Sequence, residues 1–306
     1  MAQTRGTAPE FYNDLDREVH GSLGKEFKSL SKIWTQIYDI KTSKKQQELV
    51  TGVVGMGDAQ EKPEGQPFPT DIIQAGYSKQ FLHLAFGLAF EVTMEAQEDD
   101  RYDVVSEYAK WLMFAMNVVY ERRAALLFNN GFTSEQSPDG VSIFNSAHPL
   151  KGSGGTARNV LSTASALSWT SLAQALIDLQ RETKFESGQF MQPANDLILY
   201  VPPELEFTAD RIVKSVGLPG SADNDPNSIK SLRNIKVIKN VYLTDTNAWF
   251  LLTTNKTHGF RSYTRLGISM LPGMTNVETR NRHYPVRGRQ SWGNIRWQGS
   301  FGTDGG

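Results

Sequence analysis

The chain contains no cysteine, which excludes disulfides, thiolate nucleophiles and Cys-ligated zinc or iron–sulfur centres. It also lacks any run of about 18 apolar residues, so no transmembrane helix and no membrane partner are expected. The polar, mixed-charge stretch from Met1 to Asp16 has no apolar secretory core, and synthesis in the cytosol is the expectation. Neither sign of charge is in excess: 32 Lys and Arg stand against 33 Asp and Glu, which removes a global drive towards nucleic acid or membrane. The 5 histidines, His20, His83, His148, His258 and His283, show no i, i+4 pair, so spacing gives no metal site. There is no Gly-x-Ser-x-Gly elbow. The Gly-rich loop Lys151-Gly152-Ser153-Gly154-Gly155-Thr156 misses the spacing and the Gly-Lys-Ser/Thr ending of a phosphate loop. No cofactor is expected. What remains is a 306-residue chain with 39% apolar and 21% charged residues. That composition suits a folded protein of one elaborated domain or two, large enough to need no staple.

The pattern along the chain is one of reaching parts. Phe27, Leu30, Ile33, Trp34, Ile37 and Tyr38 recur at spacings of three and four, giving an amphipathic helix. It is either a surface helix on its own core or an arm lying on a neighbour. Val50, Thr51, Val53, Val54 and Met56 suggest a strand, and Ile72, Ile73, Ala75 and Tyr77 a returning one. Between them residues 57–69 hold three prolines and two glycines, which no helix can cross. A long hairpin with a polar tip follows, too poor in apolar material to pack on itself. Residues 81–96 read as a further strand. A helix of about 99–129 follows, opened by acids that suit its positive end and closed by Asn129-Asn130-Gly131, the pattern of a left-handed stop. Its period places Tyr108, Trp111, Leu112, Ala115, Val119 and Leu126 towards the core. A second helix starts after Ser168, an apolar strand covers Leu197–Val201, and Pro203 opens a third helix. Gly217–Asn227 reads as a polar loop containing Asp223 and Asp225.

Two charged groups invite a functional reading. Glu95, Glu98, Asp99, Asp100 and Asp103 could hold a cation, or simply offset the dipole at the helix start. From Lys256 to Gly306 there are eight Lys and Arg against two acids. Arg280, Arg282, Arg287, Arg289 and Arg296 alternate there with Tyr284, Trp292 and Trp297, as on a nucleic-acid surface. The rival reading pairs these arginines with acids of the same or a neighbouring chain. Period two places Arg280 with Arg282 and Arg287 with Arg289 on common faces. No catalytic constellation emerges.

The segment Phe144-Asn145-Ser146-Ala147-His148-Pro149-Leu150, then Arg158-Asn159, the helix over 172–181, Leu197–Val201 and Pro202-Pro203-Glu204-Leu205-Glu206-Phe207-Thr208-Ala209 together resemble major head proteins of tailed bacteriophages, most nearly the Mu-type group. The resemblance implies an α+β chain of the Hong Kong 97-type capsid fold. It implies an N-terminal arm (1–48), an extended loop (49–80), a peripheral domain (81–159) with a spine helix (about 99–129), an axial domain (160–245), and a return to the peripheral domain (246–306). It further implies self-assembly into hexamers and pentamers of an icosahedral virion head, made in a host bacterium and enclosing double-stranded DNA through diffuse contacts. Portal, scaffolding and decoration proteins would be partners. Only about 50 residues precede the loop, so scaffolding is expected to be a separate protein or absent. Candidate contacts between subunits are Phe27, Trp34, Met56, Phe68, Ile72, Tyr77, Asp223 and Asp225. Two rivals stand beside this reading: an encapsulin-like compartment shell, and an α/β hydrolase-like enzyme using His148 or His283.

Overall fold

The computed structural model describes residues 32–99, 102–193, 195–218, 225–254 and 257–306. The chain makes one helical turn, α1 (Trp34–Ile37), then strand β1 (Asp39–Thr42). Strands β2 (Gln47–Val53) and β3 (Ala75–Leu82) pair antiparallel as a hairpin. Strand β4 (Leu84–Val92) and the short helix α2 (Met94–Glu98) lead to α3 (Tyr102–Asn129), whose 28 residues span about 42 Å. The two-residue strands β5 (His148–Pro149) and β6 (Thr156–Ala157) tie the following loop. Next come α4 (Trp169–Arg181), β7 (Asp196–Val201), α5 (Glu206–Lys214), α6 (Ser228–Leu232) and β8 (Asn234–Lys239). Strands β9 (Trp249–Thr253), β10 (Phe260–Met270), β11 (Met274–Thr275), β12 (Arg282–Asn294) and β13 (Ser300–Thr303) complete the chain.

Local chemistry explains the elements that matter. The Ser168 side chain caps α4 by accepting from the Ser171 N–H, while the Ser168 N–H donates to the Ser171 hydroxyl at 2.9 Å. Leu172, Ala175, Leu176 and Leu179 then form one buried stripe. Strands β7 and β9 are apolar on both faces because both faces are covered. They belong to a four-stranded sheet in the order β13-β9-β7-β8. Ile198, Tyr200, Phe250 and Leu252 pack towards α3, while Leu197, Leu199, Val201, Trp249 and Leu251 pack with α4 and α5.

The second sheet has five strands. β12 lies between β10 and β4, β11 pairs further along β12, and β1 adds to the outer edge of β10 in parallel. One face of this sheet packs on α3 through Phe86, Phe90, Tyr284 and Val286. At Gly288 a Cβ would overlap the Tyr120 hydroxyl, so glycine there lets strand and helix close up.

Three expectations need correction. Tyr108, Trp111 and Leu126 do not face the core: Tyr108 is 57% and Trp111 60% exposed. The buried arc is Ala109, Leu112, Met113, Met116, Tyr120, Ala124 and Phe128. The helix is apolar almost all round, so its period alone could not choose a face. The end of α3 has no left-handed residue. Gly131 is needed instead because the Phe144 ring packs where its Cβ would stand. The expected helix through Tyr38 stops at Ile37, since Asp39 to Thr42 pair with β10.

These placements fix a pair of stability outcomes. Phe128→Ala removes a fully buried ring and is expected to cost about 3–5 kcal/mol. Trp111→Ala is expected to cost below about 1 kcal/mol in the unassembled subunit. Urea unfolding of both variants checks the assignment, and a larger loss for Trp111 than for Phe128 would reverse it.

Candidate assembly surfaces

The hairpin is pinned at its root and bare beyond it. Lys79 Nζ donates to the Gln136 carbonyl at 2.6 Å and lies 3.9 Å from Glu135. Lys151 Nζ donates to the Gly76 carbonyl at 3.2 Å and sits over the Tyr77 ring. Gly52 and Gly76 bring the two strands together, a Cβ at Gly76 falling 2.9 Å from the Gly52 carbonyl carbon. A cavity of about 310 Å³ lies between this root and the body, bounded by Val54, Tyr77, Asp139, Glu186 and Trp297. Past Val54 every residue from 55 to 75 is exposed. Met56, Phe68, Ile72 and Ile73 are among them, each more than half exposed. The Asp71 carboxylate closes the arch by accepting from the N–H groups of Gly57 and Ile72, which hold its pKa below the usual value. Of the expected contact residues, Met56, Phe68 and Ile72 therefore lie exposed on this tip, and Tyr77 is half-buried at its root.

Trp34 is a correction. It is 7% exposed and packs edge-on against Tyr120 and Trp292 of the same chain, so its ring is not available to a neighbour. The Trp34 N–H donates to the Glu121 carboxylate at 3.2 Å. Glu121 is 3% exposed on α3. Burial raises its pKa to about 7 against the opposing pull of the Ile33 and Trp34 N–H groups. His258 shows the converse: burial lowers its pKa to about 4, and its Nδ1 accepts from the Phe260 N–H. In the sequence His258 stands only as one of the five histidines, and the one signal for Glu121 is an acid amid the apolar stretch 111–128.

The exposed side of α3 forms an apolar groove with β4. Leu88, Tyr108, Trp111, Phe114 and Val118 line it, Arg122 closes one end, and its volume is about 580 Å³.

The C-terminal arginines divide. Arg280 is not on a strand. It precedes β12 with φ 60°, a turn conformation. Arg282 is 7% exposed and turns its guanidinium over the Tyr284 ring, so it is not a surface charge. Arg287 and Arg289 do lie on one face of β12, the face away from α3. Arg296 lies beyond β12 and donates to the Thr257 carbonyl. Among the described residues Arg280, Arg287, Arg289 and Arg296 make no ion pair.

The remaining candidates resolve into structure. His148 is sealed: Nδ1 is 2.6 Å from Asp139, Nε2 is 3.1 Å from Asn159, and Trp297 stacks on its ring at 4.3 Å. That removes the access an enzymatic histidine needs, and His283 stands on the surface of β12. The Gly-rich loop holds Glu186 rather than a phosphate. The Lys151 N–H donates to its carboxylate, and the N–H groups of Gly152 and Ser153 donate to its carbonyl. Asp225 is exposed, and its carbonyl accepts from the Leu218 N–H. Phe27, Asp100 and Asp223 lie outside the described residues. No cluster fit to hold a metal, and no helix long and apolar enough to cross a membrane, occurs among the described residues.

Residues 81–305 match the family described as phage capsid protein. Among curated protein sequences none matches the chain. Solved structures share the fold at low identity. The capsid structure of cyanophage P-SCSP1u superposes with a TM-score of 0.59 at 10% identity, over 89% of this chain and 88% of that one. The procapsid of bacteriophage JBD30 gives 0.54 at 14%, over 97% and 76%. The virus-like particle from Pyrococcus furiosus gives 0.53 at 11%, over 94% and 98%.

The two buried titrating groups set a pH outcome. The penalty for ionised Glu121 is present above about pH 7 and gone below its ordinary value of 4.5, so it takes stability away as pH rises through that window. His258 acts in the opposite sense: stability is lost as pH falls from 6.5 to about 4. The windows overlap and the contributions oppose. Glu121→Gln is therefore expected to raise the melting temperature of the unassembled subunit at about pH 8 and to steepen its fall on acidification to about pH 4. Melting curves that track the parent at both ends would show that Glu121 does not titrate in this window.

Proposed function

The chain belongs to the phage capsid protein family and is a structural subunit of a phage head. From that premise we propose how it builds one. Copies associate into hexamers and pentamers of a closed icosahedral shell around double-stranded DNA. The hairpin finds on a neighbouring copy the packing it lacks on its own. The observation that carries this is the continuous exposure of residues 55–75 with four large apolar side chains among them. Ordering about 20 residues costs on the order of 1–2 kcal/mol each, and within the subunit only a few exposed polar contacts, at Asp71, Asp58 and Lys62, stand against it. A symmetric shell repeats each contact at every copy, so modest contacts suffice.

The unit built on the four-stranded sheet with α4 and α5, whose sequence includes the polar stretch 217–227, is the axial part. Its polar residues suit a wet, crowded symmetry axis. The five-stranded sheet with α3 is the peripheral part. Residues 1–48 are the arm, and within its described part the Trp34 N–H is held by Glu121. Scaffolding, portal and decoration proteins complete the partner set, and contacts to DNA are diffuse. The Mu-type grouping rests on the wording of Phe144–Leu150 and Pro202–Ala209. A second reading, a compartment shell loaded with protein cargo, is favoured by the shared fold of the Pyrococcus furiosus virus-like particle. Nucleic-acid content of purified particles separates the two.

Deleting Asp58 to Pro69 removes the tip and spares the root contacts at Lys79 and Lys151. The deleted protein is expected to keep its circular dichroism and melting temperature while failing to close shells in sedimentation and negative-stain images. Shells of normal size from the deletion would end the hairpin reading.

A further inference from the structure

The face of the five-stranded sheet that turns away from α3 carries Arg287 and Arg289, with Leu266 opposite Arg289 and with His283 opposite Glu91 further along β12 and β4. Residues paired across strands share a face. Val286 opposite Leu88 and Tyr284 opposite Phe90 define the helix side, so Arg287 opposite Gly87 and Arg289 opposite Ala85 define the other. Arg265 enters at the bulge of β10, beside the pairing of Leu266 with Arg289. Burial chiefly lowers the His83 pKa, and Arg289 and Arg265 add to it, so both guanidinium groups stand near that imidazole. Ala85 and Gly87 flank them on β4 and Leu266 on β10, and a Cβ at Gly267 would meet open space. None of the three arginines makes an ion pair among the described residues. The Nε atoms of Arg265 and Arg289 are buried without a hydrogen-bond partner. Glu48, which also acts on His83, spends its carboxylate on Ser43 and Lys45.

The complementary charge is elsewhere on the same chain. Residues 54–74 hold Asp58, Glu61, Glu64 and Asp71 against Lys62 alone. Asp71 is occupied by backbone N–H groups, Asp58 accepts from Gln189 and Lys62 lies over Phe68. Glu61 and Glu64 are exposed and engage no partner among the described residues. We propose that the arginine face of one subunit receives the acidic hairpin tip of a second copy, with Glu61 and Glu64 as counter-charges to Arg287 and Arg289. This rests on the reading that the hairpin packs on a neighbour, and adds which surface it meets. Guanidinium forks suit carboxylates in two-pronged pairing. The small residues beside the arginines leave room for an incoming backbone. Opposite charges unspent on each repeating unit select this register over one that sets like charges together.

Charge reversal and rescue test it. Arg287 is exposed, so Arg287→Glu is expected to leave the subunit's melting temperature unchanged while lowering closed-shell yield about tenfold at roughly 0.1 M salt. Glu61→Arg with Glu64→Arg is expected to do the same. Combining all three is expected to restore most of the yield. Assembly at parental yield by either reversed protein, or no gain on combining them, overturns the proposal. So does an Arg287→Glu protein that closes empty shells normally and loses only DNA retention, which would assign the face to phosphodiesters. The tip deletion keeps the two readings apart. If deletion still permits closure, the hairpin reading fails. If deletion blocks closure and charge reversal does not, only this inference fails.

Discussion

Phe128, in the last turn of α3, is the contact on which the arrangement of the subunit depends. Its ring lies 4.5 Å from that of Phe260, 4.8 Å from Tyr200 and 5.1 Å from Phe250. Phe260 belongs to the five-stranded sheet, while Tyr200 and Phe250 belong to the four-stranded one. One side chain thus joins both sheets to the helix. Each such pair adds about 0.5–1.5 kcal/mol beyond burial. Tyr38 joins the cluster and donates its hydroxyl to the Ala124 carbonyl at 2.7 Å, fastening the start of the described chain to the same turn. A shell needs subunits whose parts hold a constant angle, since an error in one is repeated at every copy. A knot of rigid rings supplies that constancy better than flexible aliphatic side chains would.

Around this fixed centre the subunit leaves its outer parts unfinished. The hairpin tip, the groove beside Trp111 and the arginine face are each short of something: burial, a cover, or counter-charge. A monomeric protein rarely tolerates large exposed apolar patches. In a self-associating one the same deficits are complementary halves held on one chain. The polar pins at Lys79 and Lys151 hold the hairpin by its base, and beyond them one exposed hydrogen bond, from Gln189 to Asp58, ties the tip to the body.

Much of this was legible in the sequence because local chemistry decides it. Ser168 caps a helix wherever it is placed before one, the prolines at 63, 67 and 69 forbid helix across the tip, and the run Leu197–Val201 reads as a strand covered on both faces. The faces of α3 were not legible. Trp111 and Met113 look alike to a hydrophobic period, and only tertiary packing decides that one is outside and the other inside. The same ambiguity misled the reading of Trp34, an apolar residue near the arm that the chain keeps for its own core. Arg280 failed for a different reason: alternation was extended two residues past the point where the strand begins, into a turn. Arg265 was missed because a bulge breaks the period that would have paired it with Arg289. His148 resembles a reactive residue in a list of histidines and becomes inert once Asp139, Asn159 and Trp297 close around it.

The pairing of β4 with β12 and of β1 with β10 has a consequence in time. These strands lie some 200 residues apart in sequence, as in the pairings of Leu84 with Gln290 and Asp39 with Arg261. Contacts of such separation close slowly. During synthesis α3 emerges long before β12 can cover it. At 5–20 residues per second the interval between Phe128 and Asn294 is roughly 10–30 s. For that period the helix shows water both its outer groove and its inner aromatic face. The arginine face does not exist until the last strands are made. If the hairpin docks there as proposed, an incomplete chain lacks that surface, and premature fragments are expected to compete poorly for places in a growing shell. The cost is an early window in which the nascent helix depends on whatever shields apolar surface in the cell.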